Sequence, residues 1–243
     1  MRAVCLAVGL TLAASAAADV LYRLPWPERR SFMFIQAPDG RITSHFTKAT
    51  RHAVDIGMPE GVAVLAAREG VVEALDARYG TSAEGDSVTY EGNFVRVRHA
   101  DGSAAIYAHL QRRGVAVEVG QKVAPGQLLG YSGSSGDVDA PNLHFAVVRV
   151  EKNSAGWSED VSIPITFYVG VPPVAFPPRT ALRVTANYSS AAEAPRLAGE
   201  GPMFPMRRAM LDSEELPGAW SLLALWLACG VAGLAWFGRF AKR

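Results

Sequence analysis

Between Ile35 and Phe167 the chain runs in short apolar stretches separated by turn residues. Val62–Leu65, Gly70–Leu75, Phe94–Arg98, Ala104–Ala108, Gln127–Tyr131 and Leu143–Val150 have the length and the β-branched or aromatic content of strands. Glycines from Gly61 to Gly136 punctuate them at close intervals. No apolar pattern of helical period extends beyond about two turns here. The region therefore predicts an all-β sandwich or barrel, with its β domain spanning residues 35–170. The segment 142–148 shows the alternation best. Leu143, Phe145 and Val147 share the core face, and Asn142, His144 and Ala146 share the other.

The flanks read differently. Met1 and Arg2 are followed by an uncharged run from Ala3 to Ala18 with small residues at Ala16 and Ala18, which predicts a secretory signal peptide over 1–18. Residues 19–34 form a short lead broken by Pro25 and Pro27. Eight of the 15 prolines fall between Val171 and Pro217. That stretch is too poor in clustered apolar residues for a core and reads as a semi-extended stalk over 171–217. A strand near Thr180–Ala186 is expected to pack back on the domain. Residues 218–238 carry no charge and are long enough to cross a bilayer core of about 30 Å. Trp220 and Trp236 stand near the two ends, and Arg239, Lys242 and Arg243 follow as a basic cytoplasmic tail over 239–243. The expectation is an exported domain in the cell envelope, held to the cytoplasmic membrane by one C-terminal transmembrane helix.

This division changes the meaning of the composition. The formal charge is +1. With Arg2, Arg239, Lys242 and Arg243 set aside, 20 basic residues face 23 acidic ones, so the part between the ends carries −3. Such a chain is no nucleic-acid binder, whose affinity rests on neutralising phosphates. Cys5 and Cys229 both lie in the membrane-directed segments, leaving the exported part without disulfide or thiol chemistry. All five histidines fall between His45 and His144. Without cysteine, a metal site there draws on imidazole and carboxylate, a combination suited to zinc.

His144 lies beside Asn142 on the face away from the core, at the exit of the Gly/Ser-rich loop Ser132–Gly136, in an active-site-like setting. In Arg51–Gly57, alternation puts Asp55 with Arg51 and Ala53, and His52 with Val54 and Ile56. His52 and Asp55 thus point apart on a regular strand, and His45 can approach Asp55 if Thr47–Thr50 turns the chain back. His109 falls on the face opposite Ile106 and Ala108. His99 precedes an Asp101-Gly102 turn and reads as a rim histidine.

Asp55–Gly61, Val64–Val72, Tyr107–Leu110, Val119–Val123, Gly126–Gly130, Gly133–Gly136 and Asn142–Phe145 together resemble the M23 (LytM-type) metallopeptidase domain, in order and spacing, over about residues 41–150. The resemblance implies a β-sandwich of the barrel-sandwich hybrid type. It also implies a Zn2+ held by a His, an Asp and the second His of a His-x-His pair, with a water in the fourth position. Two further histidines would assist that water against a peptide bond of peptidoglycan. Carried over, Asp55 and His144 are metal ligands and His109 is an assisting histidine. Arg51 occupies the usual first-ligand position and cannot ligate. Ser44-His45 matches an arrangement with the ligand further upstream, so His45 is the expected third ligand and His52 the reserve.

Asn142 stands where the family has the first His of the pair, and an amide cannot shuttle a proton at neutral pH. Two readings follow. One is a membrane-anchored zinc metalloendopeptidase acting on peptidoglycan peptides. The other is a catalytically degenerate LytM-type domain that binds the wall or regulates a partner cell-wall hydrolase. A biotin- or lipoyl-type carrier, which shares the Gly120–Val123 and Gly126–Gly130 motifs, is disfavoured because no attachment lysine sits at a hairpin tip.

Overall fold

The computed structural model describes residues 20–41, 43–80 and 92–197. Among them are fourteen strands: β1 (Leu21–Arg23), β2 (Ser31–Gln36), β3 (Val54–Gly57), β4 (Ala63–Leu65), β5 (Gly70–Asp76), β6 (Asn93–Arg98), β7 (Ala104–Val115), β8 (Lys122–Val123), β9 (Leu128–Ser132), β10 (Asn142–Lys152), β11 (Ser158–Ser162), β12 (Thr166–Val169), β13 (Val174–Phe176) and β14 (Arg183–Thr185). No helix occurs among the described residues, so the expected all-β class is borne out. The signal segment, the distal stalk, the transmembrane helix and the basic tail lie outside the described residues.

One sheet runs in the order β14-β2-β3-β10-β7-β6-β5-β8, with β11 beside β10 and the β4–β9 pair joined through β7. Its organising strand is β10. Asn142–Phe145 pairs with β3, His144–Val148 with β7 and Val148–Lys152 with β11, all antiparallel. A strand paired with three others is fixed in register, because a one-residue slip would turn Leu143, Phe145 and Val147 out of the core. Those three side chains are fully buried. Phe145 packs on Tyr107 and Phe167 at ring-centroid separations of 5.1 and 5.6 Å. The Tyr107 hydroxyl accepts the N–H of Ala67 at 2.8 Å, so even the polar tip of this core residue is satisfied.

The opposite face of β3, β10 and β7 carries small residues. Ala53, Ala104, Ala146 and Val148 form a separate buried cluster, covered in part by Ile106. Beside this cluster, Ile106, Ala108, His109 and His144 line a cleft.

Two flanking segments differ from expectation. The lead over 19–34 belongs to the core: Tyr22, Leu24, Trp26, Phe32 and Phe34 are all buried. Pro25 and Pro27 do end β1, but they deliver Trp26 inward, where its indole N–H donates to Arg30 O at 3.0 Å. β1 pairs in parallel with β12, which pairs with β13 to make a second, three-stranded sheet. The proximal part of the expected stalk also packs. β13 and β14 bury Phe176 and Val184, and Leu182 and Ala186 are buried beside them. The prolines sit between these strands rather than within them, so each strand keeps the N–H groups its partner edge requires. β14 pairs with β2 at Arg183–Thr185, inside the Thr180–Ala186 segment expected to return.

Candidate metal centre

His144 on β10 stands directly opposite Asp55 on β3. Directly opposed residues of antiparallel strands share a face. Here it is the face away from Leu143 and Phe145, and His144 Nδ1 lies 2.8 Å from Asp55 Oδ1. His45 arrives from the loop between β2 and β3. Ser44 N–H donates to Gln36 Oε1 at 2.8 Å, and His45 N–H donates to Thr43 Oγ1 at 3.0 Å. After it, Thr50 and Arg51 N–H both donate to Thr47 O, the turn that carries the chain back toward β3. The result places His45 Nε2 3.2 Å from the same Asp55 oxygen. The two imidazoles meet edge to face, 5.0 Å apart.

Burial on its own would push the Asp55 carboxyl up, but the hydrogen bonds from His144 and His45 outweigh it and hold the carboxyl well below the usual carboxylate range. One ligand atom from each of His45, Asp55 and His144 lies within 4.8 Å of the others. Two imidazole nitrogens and one carboxylate oxygen on three separate segments are a donor set for zinc with a position left open. The residues present fit such an ion. The ring nitrogens that contact Asp55 would give up their protons to coordinate it.

His109 completes the cluster by an irregularity of the backbone. Strict alternation would put it opposite Ala108 and into the core. Instead the β6–β7 register shifts between Asn93 and Phe94, so that Asn93 pairs with Leu110, Phe94 pairs with Ala108, and His109 is the extra residue of a bulge. Its φ is 64°, a left-handed conformation that non-glycine residues seldom adopt. The bulge turns the imidazole onto the cleft face, 5.8 Å from His144 between ring centroids.

The bulge is braced by residues that sequence reasoning missed. Asn93 is fully buried. Its Nδ2 donates to Tyr79 O at 2.7 Å and to Leu110 O at 3.0 Å, and its Oδ1 accepts Tyr79 N–H at 2.8 Å. The Asn93 N–H donates to Ser135 Oγ at 3.0 Å, and that hydroxyl donates to Leu110 O at 2.7 Å. Ser135 O lies 2.9 Å from His109 Nδ1. Burial pushes the His109 imidazole down, against this hydrogen bond. A Cβ on Gly133 would lie 2.7 Å from Gln111 N, so only glycine lets the Ser132–Gly136 loop close on β7. The visible signal was an Asn at the start of an apolar strand, facing a Gly/Ser loop already noted as a motif.

The other candidates separate from the cluster. His52 is half-buried, its N–H donating to Ser162 Oγ at 3.0 Å, and it is not among the three clustered groups. His99 is not on the rim but buried in the core, edge to face with Tyr22 at 5.8 Å and with Nδ1 2.7 Å from Glu69 O. Asn142 lies on the His144 face of β10, buried beside the cleft, its Nδ2 donating to Ala140 O at 3.0 Å.

Residues 49–155 match the family described as peptidase family M23. The chain carries an M23 peptidase domain. The matched segment holds Asp55, His109, His144 and the bracing Asn93 and Ser135, but begins after His45. The peptidoglycan DD-endopeptidase ShyC of Vibrio cholerae is 33% identical over 125 residues, 46% of this chain and 26% of that one. The cell division protein DipM of Caulobacter vibrioides is 32% identical over 143 residues, 56% of this chain and 20% of that one. The chain thus spans about a quarter or less of the length of these curated relatives. Lysostaphin from Staphylococcus simulans aligns with a TM-score of 0.38 at 26% identity, over 53% of this chain and 47% of that one. β1 and β2 precede the matched segment, and β11 to β14 follow it.

Proposed function

We propose that the chain is a zinc metalloendopeptidase of the cell envelope that cuts peptidoglycan peptides. The observation that carries this reading is the convergence of His45, Asp55 and His144 on one buried point with His109 turned toward it. His45, Asp55 and His144 would hold a zinc ion, which would supply a water of lowered pKa and polarisation of the scissile carbonyl. Asp55, anionic and bracketed by two imidazoles, holds both rings in place. His109 Nδ1 is tied to the Ser135 carbonyl, so its Nε2 carries the lone pair and takes a proton within the cleft. Cavities of ≈ 600 and ≈ 670 Å³ on either side of His144 leave room for an extended peptide beside these groups. ShyC, whose name assigns it to peptidoglycan peptides, supports the substrate class.

The amide at Asn142 favours a second reading, a domain that binds the wall or regulates another hydrolase without cutting. One side chain that would move a proton is then missing, which typically costs about 10²–10⁴-fold in rate. The experiment is peptidoglycan digestion by the full-length protein beside Asn142→His and His109→Ala. Release of peptides by the parent, lost in His109→Ala at unchanged zinc content, establishes the peptidase. Release by Asn142→His alone establishes the non-catalytic domain.

We place this domain outside the cytoplasmic membrane on the strength of the apolar segments at 3–18 and 218–238. Protease accessibility of the β domain in spheroplasts tests it, and protection there would overturn it.

A further inference from the structure

The cleft extends to either side of His144, and its two arms differ in charge. Toward β6 it has a volume of ≈ 600 Å³ and its carboxylates are neutralised. Arg96 donates to Asp160 at 2.5 and 2.9 Å, and Arg78 lies 3.1 Å from Asp76. Toward the loop joining β9 to β10 it has a volume of ≈ 670 Å³, and among the described residues no lysine or arginine lines it. Asp137 and Asp139 stand on this wall, and neither makes a hydrogen bond or ion pair with a described residue. Arg41 lines an adjoining recess with Asp139 but forms no ion pair with it.

A second observation on this arm points to a ligand. Asn142 is 7% exposed and lies on the cleft face of β10, two residues from His144. Its Nδ2 is used by Ala140 O, and its Oδ1 is buried with no partner. A buried acceptor without a donor is costly, and it is satisfied at once if a bound molecule brings the donor. Beyond the metal cluster, the unmet groups on this wall are Asn142 Oδ1 and the Asp137 and Asp139 carboxylates, all acceptors. Their complement is a group with several N–H donors and a positive charge.

We propose that this arm is a subsite for a peptide segment bearing a free side-chain ammonium group, with Asp137 and Asp139 meeting the charge and Asn142 Oδ1 accepting an N–H of the same segment. The subsite rests on the reading of the cleft as a peptide site. It fixes the direction of the substrate, with its ammonium-bearing part on the Asp137 side of the metal centre and its other part over Ile106 and Ala108. It also gives Asn142 a use that its amide chemistry permits, substrate recognition in place of proton transfer.

The test uses zinc-loaded full-length protein carrying His109→Ala, so that probes stay intact. The probes are a cross-linked stem-peptide fragment with a free side-chain ammonium and the same fragment N-acetylated. Acetylation is expected to weaken binding by about tenfold, the size of one charge-assisted hydrogen bond. Adding Asp137→Asn and Asp139→Asn together is expected to bring the two affinities within about twofold, at unchanged zinc content. Equal affinity of the two probes, binding of neither, or a preference that survives the double substitution overturns the subsite. Ammonium preference in a protein whose wild-type form hydrolyses nothing removes the peptidase reading and leaves the subsite standing, and hydrolysis without preference does the reverse.

Discussion

The carbonyl of Ser135 lies 2.9 Å from His109 Nδ1, and this contact decides which nitrogen of His109 is free. A carbonyl only accepts, so Nδ1 holds the hydrogen and Nε2 is left with the lone pair. The contact exists because a bulge lifts His109 out of the alternation of β7 and the Ser132–Gly136 loop closes over it.

Asn93→Ala should therefore impair catalysis without removing the metal. It removes the Asn93 amide's bonds to the Tyr79 carbonyl and N–H and one of the two donors to Leu110 O, and should cost about 1–3 kcal/mol of stability. With the bulge released, His109 turns from the cleft, and peptide release should fall by about 10²–10⁴-fold at normal zinc content, as in His109→Ala. Urea denaturation, metal analysis and turnover measure these. The imidazole nitrogen shifts of His109 report the tautomer directly, and an unchanged Nδ1–H signal in Asn93→Ala would sink the assignment.

The three clustered groups, His45, Asp55 and His144, make a separable prediction about binding. Purified protein should hold about one zinc per chain, lost in His45→Ala, Asp55→Asn and His144→Ala. His52→Ala should retain it, since the His52 backbone is tied to Ser162 on the far side of the loop. Metal analysis of the four variants decides, and zinc loss in His52→Ala with retention in His45→Ala would reverse the assignment.

His99 sets an acid limit on stability. Burial pushes its imidazole below the ordinary value of 6.5, and the hydrogen bond to Glu69 O only partly opposes this. Below pH 6.5 the unfolded chain binds a proton that the folded chain refuses. The contribution is complete above that pH and is lost as pH falls toward the lower folded value. His99→Gln should flatten this part of the profile, read as urea midpoints across an acid pH series. A profile identical to the parent's would exclude His99 as the cause.

Arg96 ties three strands together at the cleft's far end, donating to Asp160 on β11 and to Glu73 on β5. All three groups are partly exposed, so a double-mutant cycle of Arg96→Ala and Asp160→Ala should give a coupling of about 1 kcal/mol. Arg96→Ala alone should cost more than Asp160→Ala alone, because it leaves Asp160 without its cation and takes one of two arginines from Glu73, which keeps Arg98. Denaturation midpoints of the three variants check both statements.

The alternation of Leu143, Phe145 and Val147 with Asn142, His144 and Ala146 determined by itself which face of β10 is core, and the same rule placed Asp55 away from Val54 and Ile56. These are local properties, because successive residues of a strand point to opposite faces whatever the strand pairs with. That Asp55 and His144 face each other was legible only through family resemblance, since register between strands separated by many residues is set by their pairing. Tertiary structure alone decided the rest. For His45 the sequence offered only a condition, a turn at Thr47–Thr50, and the fold meets it by bringing the loop onto β3. His109 reaches the cleft because one residue more on β7 than on β6 breaks the two-residue period there. The segments at 20–34 and 171–186 join the core because open edges of β12 and β2 accept them, and an edge is made by the fold rather than by the segment that finds it.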